Sequence, residues 1–214
     1  MNKRECINFI EASLNNDKLP GMDAMTQMAP INRQLEYPYK KNYSDSAVAL
    51  LLFEQDDELF FPLIKRTSHN KNDKHRGQIS LPGGKYDKED QTLLNCAMRE
   101  LEEELGVSKT NISTLGELTK LFIPVSSFMV QPFVFYSTNY NHFAAQESEV
   151  EYILEVKLKD LLDDRNVKKG EIELISGRKI NDIPYFNLNN HIIWGATAMI
   201  LNEFKNVVIS YKTN

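Results

Sequence analysis

Residues 99–107 read R-E-L-E-E-E-L-G-V, shortly after a Pro82-Gly83-Gly84 turn, and they constrain the chain more than any other stretch. Apolar spacing from Leu93 onward predicts a helix stopped by Gly106, a residue suited to the left-handed position beyond a helix end. At about 100° per residue, with Glu100 at zero, Leu93, Leu94, Ala97, Met98, Leu101 and Leu105 fill an arc from roughly 20° to 160°. Glu102 and Arg99 fall near 200° and 260°, away from the stripe, as solvated charges should. Glu100, Glu104 and Glu103 instead fall at about 0°, 40° and 300°, crowding its edge. Their i, i+3 and i+4 spacing makes them repel one another, and the C-terminal end of a helix disfavours anions. A solvated acidic helix end does not account for this placement. A compensating cation does.

The 214 residues are 42% hydrophobic, which supports one good core. A formal charge of −5 and a pI near 5.5 exclude an extensive nucleic-acid surface, so no nucleic-acid partner is expected. Cys6 and Cys96 lie far apart without a C-x-x-C spacing, which argues against a disulfide framework or a zinc site and for a reducing, cytoplasmic location. The first residues carry early charge and polar interruptions, unlike a signal peptide, and no run approaches the ~20 apolar residues that span a bilayer. No membrane partner is expected.

Along the chain, residues 3–15 predict an amphipathic helix, and residues 22–43 read as an irregular arm laid on the domain. Residues 46–53 and 59–65 predict two strands joined by an acidic turn. A basic loop over 66–76 leads to 78–81, the Pro-Gly-Gly turn and the acidic helix. Strands are then predicted over 114–123, 129–138 and 152–157, with a short helix over 159–164. A hairpin is predicted over 168–174 and 178–186 around Ser176-Gly177, and a last helix from about 193 to 204. Many strands, few helices and no regular βαβ alternation describe an α+β sandwich. The division is an N-terminal helix and arm over 1–43 and one domain over 44–214.

Several carboxylates on adjacent helical turns suit a hard divalent cation such as Mg²⁺ or Mn²⁺, and glycines nearby let backbone approach the ion or a phosphate. The sequence P-G-G followed by R-E-L-E-E-E-L-G-V resembles the box of the Nudix hydrolase family, G-x5-E-x7-R-E-U-x-E-E-x-G-U, where U is aliphatic. Arg99, Glu100, Leu101, Glu103, Glu104, Gly106 and Val107 match its second half without a gap. The first half departs: the positions for Gly and the first Glu hold Lys85 and Gln91, Gly84 stands one residue early, and Asp90 and Glu89 are the carboxylates near the missing Glu.

The same offset is found in the coenzyme A pyrophosphatase branch of that family. The run 77–84, G-Q-I-S-L-P-G-G, is similar to its G-x-x-x-F-P-G-G element, with Leu81 for Phe. Residues 63–67, 127–132 and 193–198 are similar to further segments of that branch. Where the branch has an Arg two residues before His75, this chain has Asp73 in a longer loop, with Lys71, Lys74 and Arg76 near it.

The resemblance implies an α/β/α sandwich with a mixed sheet between helices. It also implies hydrolysis of a diphosphate bond in a nucleotide substrate, with coenzyme A or acyl-CoA leading and 3′,5′-ADP and 4′-phosphopantetheine as products. Alternatives are ADP-ribose, a dinucleoside polyphosphate, or a non-catalytic domain that senses a nucleotide. By the family's roles, Glu100, Glu103 and Glu104 bind Mg²⁺ or Mn²⁺, with a Gly83-Gly84 carbonyl, and Arg99 orients a helix carboxylate. The general base is Glu100 or a glutamate outside the box, for which Glu149 and Glu151 are the candidates; both also read as surface charges on a strand. Arg66, Gly83, Gly84 and Lys85 are the expected substrate contacts, within a basic segment that also reads as a solvated loop. Cys96 reads as a packing residue, and Trp194, Phe128 and Phe133 read as core, with stacking on a base or lining a pocket as the alternative for each aromatic. A homodimer is compatible with the sequence.

Overall fold

Asn2 caps the first helix, α1 (Lys3–Leu14), by accepting a hydrogen bond from Arg4 N at 3.1 Å. Cys6, Ile7, Ile10 and Leu14 form its buried face, as the apolar spacing predicts. A computed structural model describes residues 2–16, 18–30, 42–68, 75–138, 143–174 and 176–211. The expected irregular arm begins instead with a second helix, α2 (Gly21–Thr26), which buries Met25, while Met28 just beyond it is buried too. Six residues are too few to show a helical period. Tertiary bonds hold them instead: Asn202 Nδ2 donates to Ala24 O at 2.7 Å, and Gly21 N donates to Glu203 Oε1 at 3.1 Å. The rest of the expected arm, 31–41, lies outside the described residues.

Strands β1 (Ser44–Gln55) and β2 (Glu58–Arg66) form the expected hairpin, turning on Asp56 and Asp57, both with positive φ. Next come β3 (Ile79–Ser80), β4 (Gly83–Lys85) and the long helix α3 (Leu93–Leu105). After these follow β5 (Ser113–Glu117), β6 (Leu121–Ile123), β7 (Phe128–Ser137) and β8 (Val150–Lys157). β1 runs parallel to β7, and the remaining pairs are antiparallel, giving an eight-stranded mixed sheet. Alternation along β1 sorts its side chains. Leu50 and Leu52 join the core beneath α1, while Ala47, Ala49 and Leu51 pack with Cys96, Ala97, Leu101 and Leu105 of α3. The expected α/β/α sandwich is formed.

A short helix, α4 (Leu158–Leu162), leads to a second sheet of β9 (Val167–Glu173), β10 (Lys179–Leu188) and β11 (His191–Trp194), and then to α5 (Gly195–Ser210). Two expectations change here. Residues 193 and 194 belong to a strand, not to the last helix. Asn189 and Asn190, with φ of 49° and 62°, turn the chain so that Ile193 pairs with Phe186 and Trp194 with Tyr185. The single strand expected over 114–123 is also interrupted, because Leu118 N donates to Pro132 O and Leu118 O accepts from Gln131 Nε2. Among the described residues no helix is long and apolar enough to cross a membrane.

Glu203 is fully buried on α5 and ties these parts together. Its carboxylate accepts from Thr119 Oγ1 at 2.6 Å, Thr119 N at 3.1 Å and Gly21 N at 3.1 Å. Glu203→Ala leaves the part-buried amides of Gly21 and Thr119 without their acceptor and is expected to cost about 1–3 kcal/mol in chemical denaturation. A loss under about 0.5 kcal/mol would show that water replaces the carboxylate.

Candidate active site

Thr92 starts α3 by accepting from Asn95 N at 3.1 Å, and Gly106, at φ 70°, ends it. The helix presents its last two turns to β4. Gly83 and Gly84, read from sequence as a turn, are in fact a strand: Gly84 pairs with Ala47 and Gly83 with Val48. Backbone geometry requires glycine at 83, and a side chain at 84 would displace the Glu100 carboxylate. A Cβ on Gly83 would stand 2.4 Å from Ala47 O, and one on Gly84 would stand 2.3 Å from Glu100 Oε1. The carboxylate of Glu100 therefore lies directly over the Gly84 backbone.

The three edge glutamates part company in the fold. Glu100 and Glu104 are buried, at 7% and 1% exposure, whereas the Glu103 side chain is half exposed. Glu104 Oε2 accepts from Gly83 N at 2.8 Å, and its Oε1 lies 3.5 Å from Arg66 Nη1. Arg99 takes most of the remaining charge. Its Nη1 donates at 2.8 Å to both Glu100 Oε1 and Glu103 Oε2. Its other edge grips Asp90 through Nε at 2.7 Å and Nη2 at 3.1 Å, and Nη2 also donates to Lys85 O at 3.2 Å.

Among the described residues, Glu104 and Glu100 are not fully balanced by positive charge. Burial pushes the Glu104 carboxyl up to about 8, and the guanidinium of Arg66 and the Gly83 amide only partly offset it. Burial likewise raises Glu100 despite Arg99, and the negative charge of Glu149 adds to both shifts. Asp90, by contrast, is held below the usual carboxylate range by Arg99. Burial raises the Cys96 thiol to about 12, so it packs as an inert neutral group against Gly84 and Arg99.

Glu100, Gly83, Gly84, Arg66, Lys85 and Glu149 line one cleft of ≈ 1880 Å³. Glu104 lies beneath its wall, and Glu103 sits beyond its lining, on Arg99. Of the expected basic segment, Lys65, His75 and Arg76 also line the cleft, while 69–74 lie outside the described residues. Glu149 enters through the connection before β8, where Thr67 N donates to its carbonyl at 2.9 Å. Trp194 and Phe128, read from sequence as core, are only partly buried and line the cleft, while Phe133 is buried as expected. The missed signal was alternation: Ile193 points to the core, so Ile192 and Trp194 face away from it.

The NUDIX domain family model matches residues 43–175. The chain belongs to the Nudix family. A Nudix hydrolase named NudL from Yersinia enterocolitica is 30% identical over 174 residues, covering 79% of this chain and 86% of that protein. A NudL from Yersinia pestis is 32% identical over 142 residues, covering 66% and 68%. The solved MutT protein from Methanosarcina mazei shares the fold, with a TM-score of 0.51 at 18% identity over 83% of this chain and all of that one. In the irregular first half of the Nudix box, Asp90 pairs with Arg99. Gln91 stands at the box's first Glu position but in a left-handed conformation, φ 64°, while Asp90 beside it holds the arginine.

Nudix hydrolases generally use divalent metal ions. Among the described residues, no three His, Cys, Asp or Glu side chains form a ready metal cage. The donor chemistry nevertheless fits a hard cation: two buried carboxylates short of positive charge, one of them over bare glycine backbone. Such a group has a pH signature. Glu104 with a raised folded pKa binds a proton that the unfolded chain releases above about 4.5, so stability is full below that pH and declines as pH rises toward 8. Stability of the metal-free protein is expected to fall across this window, with Glu104 contributing at most about 1.4 kcal/mol per pH unit. Mn²⁺ is expected to flatten the decline. A metal-free profile that is flat or rising from pH 5 to 8 would contradict this assignment.

Proposed function

We propose that this Nudix hydrolase cleaves the diphosphate bond of a nucleoside diphosphate-linked substrate, with coenzyme A or acyl-CoA as the leading choice. The carrying observation is the buried Glu100–Glu104 pair beneath the Gly83-Gly84 strand, at the wall of a cleft edged by cations. Glu100 and Glu104, with Glu103 from the rim, would hold Mg²⁺ or Mn²⁺ together with a carbonyl of the glycine pair. The ion supplies charge neutralisation for the diphosphate and makes an attacking water more acidic.

The chain's own residues do the rest. Arg66, Arg76 and Lys85 offer donors for phosphate oxygens. Gly83 and Gly84 line the cleft wall and let the Glu100 carboxylate approach the β4 backbone. Arg99, held by Asp90, positions Glu100 and Glu103 rather than touching substrate. Glu149 and Glu100 both line the cleft and are the candidate bases for the water's proton. The coenzyme A choice rests on the 77–84 segment, which lies along β3 and β4 in the cleft wall. ADP-ribose and dinucleoside polyphosphates are the alternative substrates.

Product identification with coenzyme A, ADP-ribose and diadenosine polyphosphates, with Mg²⁺ and Mn²⁺ compared, tests the reading. The expected outcome is 3′,5′-ADP plus 4′-phosphopantetheine from coenzyme A at the highest kcat/KM. Turnover should vanish in Glu104→Gln while the melting transition persists. Of Glu149→Gln and Glu100→Gln, the base variant is expected to lose about 100-fold or more in kcat and the lower limb of the pH–rate profile. No cleavage of any of these substrates with either ion would overturn the hydrolase reading.

A further inference from the structure

The second sheet has an open edge. Its strand order is β11, β10, β9, and among the described residues no strand pairs with the outer side of β9. Along that strand Val167, Lys168, Lys169, Glu171 and Glu173 are exposed. An edge of this kind presents unpaired amides and carbonyls, and lysines on it normally keep other strands away. Here the order of charges favours one particular strand. Residues 167–173 read V-K-K-G-E-I-E, with Lys169 and Glu171 at mirrored positions about Gly170. An antiparallel copy centred on Gly170 sets Lys169 directly opposite the partner's Glu171, and Glu171 opposite the partner's Lys169, on one face of the joined sheet. Pairs within the chain extend this order: Lys179 Nζ lies 2.7 Å from Glu171 Oε1, and Lys169 Nζ lies 3.5 Å from Asp182 Oδ1. Across the joined edge the row runs Lys179, Glu171, the partner's Lys169 and the partner's Asp182, alternating in sign. A parallel copy in register would oppose like charges instead.

We propose that β9 is a dimerisation strand: two copies of this chain pair antiparallel about Gly170 and join their second sheets into one. The backbone supplies the attraction common to any strand, and the mirrored charges select this chain as the occupant. Seven residues make a small interface, so the dimer is weak and concentration-dependent. Glu173, the last residue of β9, lines the cleft, so the joined strand runs to the edge of the cleft in each copy.

Sedimentation equilibrium of the full chain over a range of concentrations tests this without any substrate. The apparent mass is expected to rise from the 24.7 kDa of one chain toward twice that value. Lys169→Glu and Glu171→Lys each set like charges against one another at both central pairs, and each is expected to weaken the dimer about ten-fold or more. Both side chains are exposed, so loss of their pairs within the chain spares the fold. Mixing the two variants is the decisive arm. Every central pair between them is again of opposite sign, and a heterodimer of about native affinity is expected. A native chain that stays at one chain mass at every concentration, a dimer that either substitution leaves intact, or a mixture that fails to associate would overturn the strand pairing.

Discussion

One guanidinium organises this protein's candidate site. Arg99 reaches Asp90, Glu100, Glu103 and the carbonyl of Lys85, so a single side chain joins the loop before α3, two turns of α3 itself and the strand β4. With it in place, a helix end loaded with like charges packs against a strand of two glycines. Without it, three carboxylates would lose their main counter-charge at once, at a cost greater than any single surface pair. Among the described residues, Glu104 is held instead by Arg66 at 3.5 Å and the Gly83 amide.

The sheet sets where this charge stands. β1 uses one face for the core beneath α1 and the other, through Ala47, Ala49 and Leu51, for α3. Small residues on the α3 side, and none but glycine at 83 and 84, let the helix carboxylates approach backbone directly. The second sheet then closes the far side of the cleft through β11 and the start of α5.

Helix angles in the sequence set Glu100, Glu103 and Glu104 together at the edge of the apolar stripe, and of the three Glu100 and Glu104 are buried. Glu103, at about 300° on the same wheel, turned out to the rim because Arg99 four residues earlier captures it there. The strand β4 was not legible, since Pro-Gly-Gly reads as a turn and only pairing with Ser46–Val48 residues makes it extended. The helix α2 was hidden for a similar reason: its six residues are fixed by Asn202 and Glu203, nearly two hundred positions away. Asp90 was visible only as a neighbour of a missing glutamate. Its role depends on the backbone turn at Gln91, which no local pattern announces.

A divalent ion held by Glu100 and Glu104 is the central proposal for this site. Titration of Mn²⁺ into the protein, with the free ion followed by electron paramagnetic resonance, measures this directly. Saturable binding is expected in the native chain, and its loss is expected in folded Glu100→Gln/Glu104→Gln. Equal Mn²⁺ binding by the two proteins, or none by the native chain, would contradict the account.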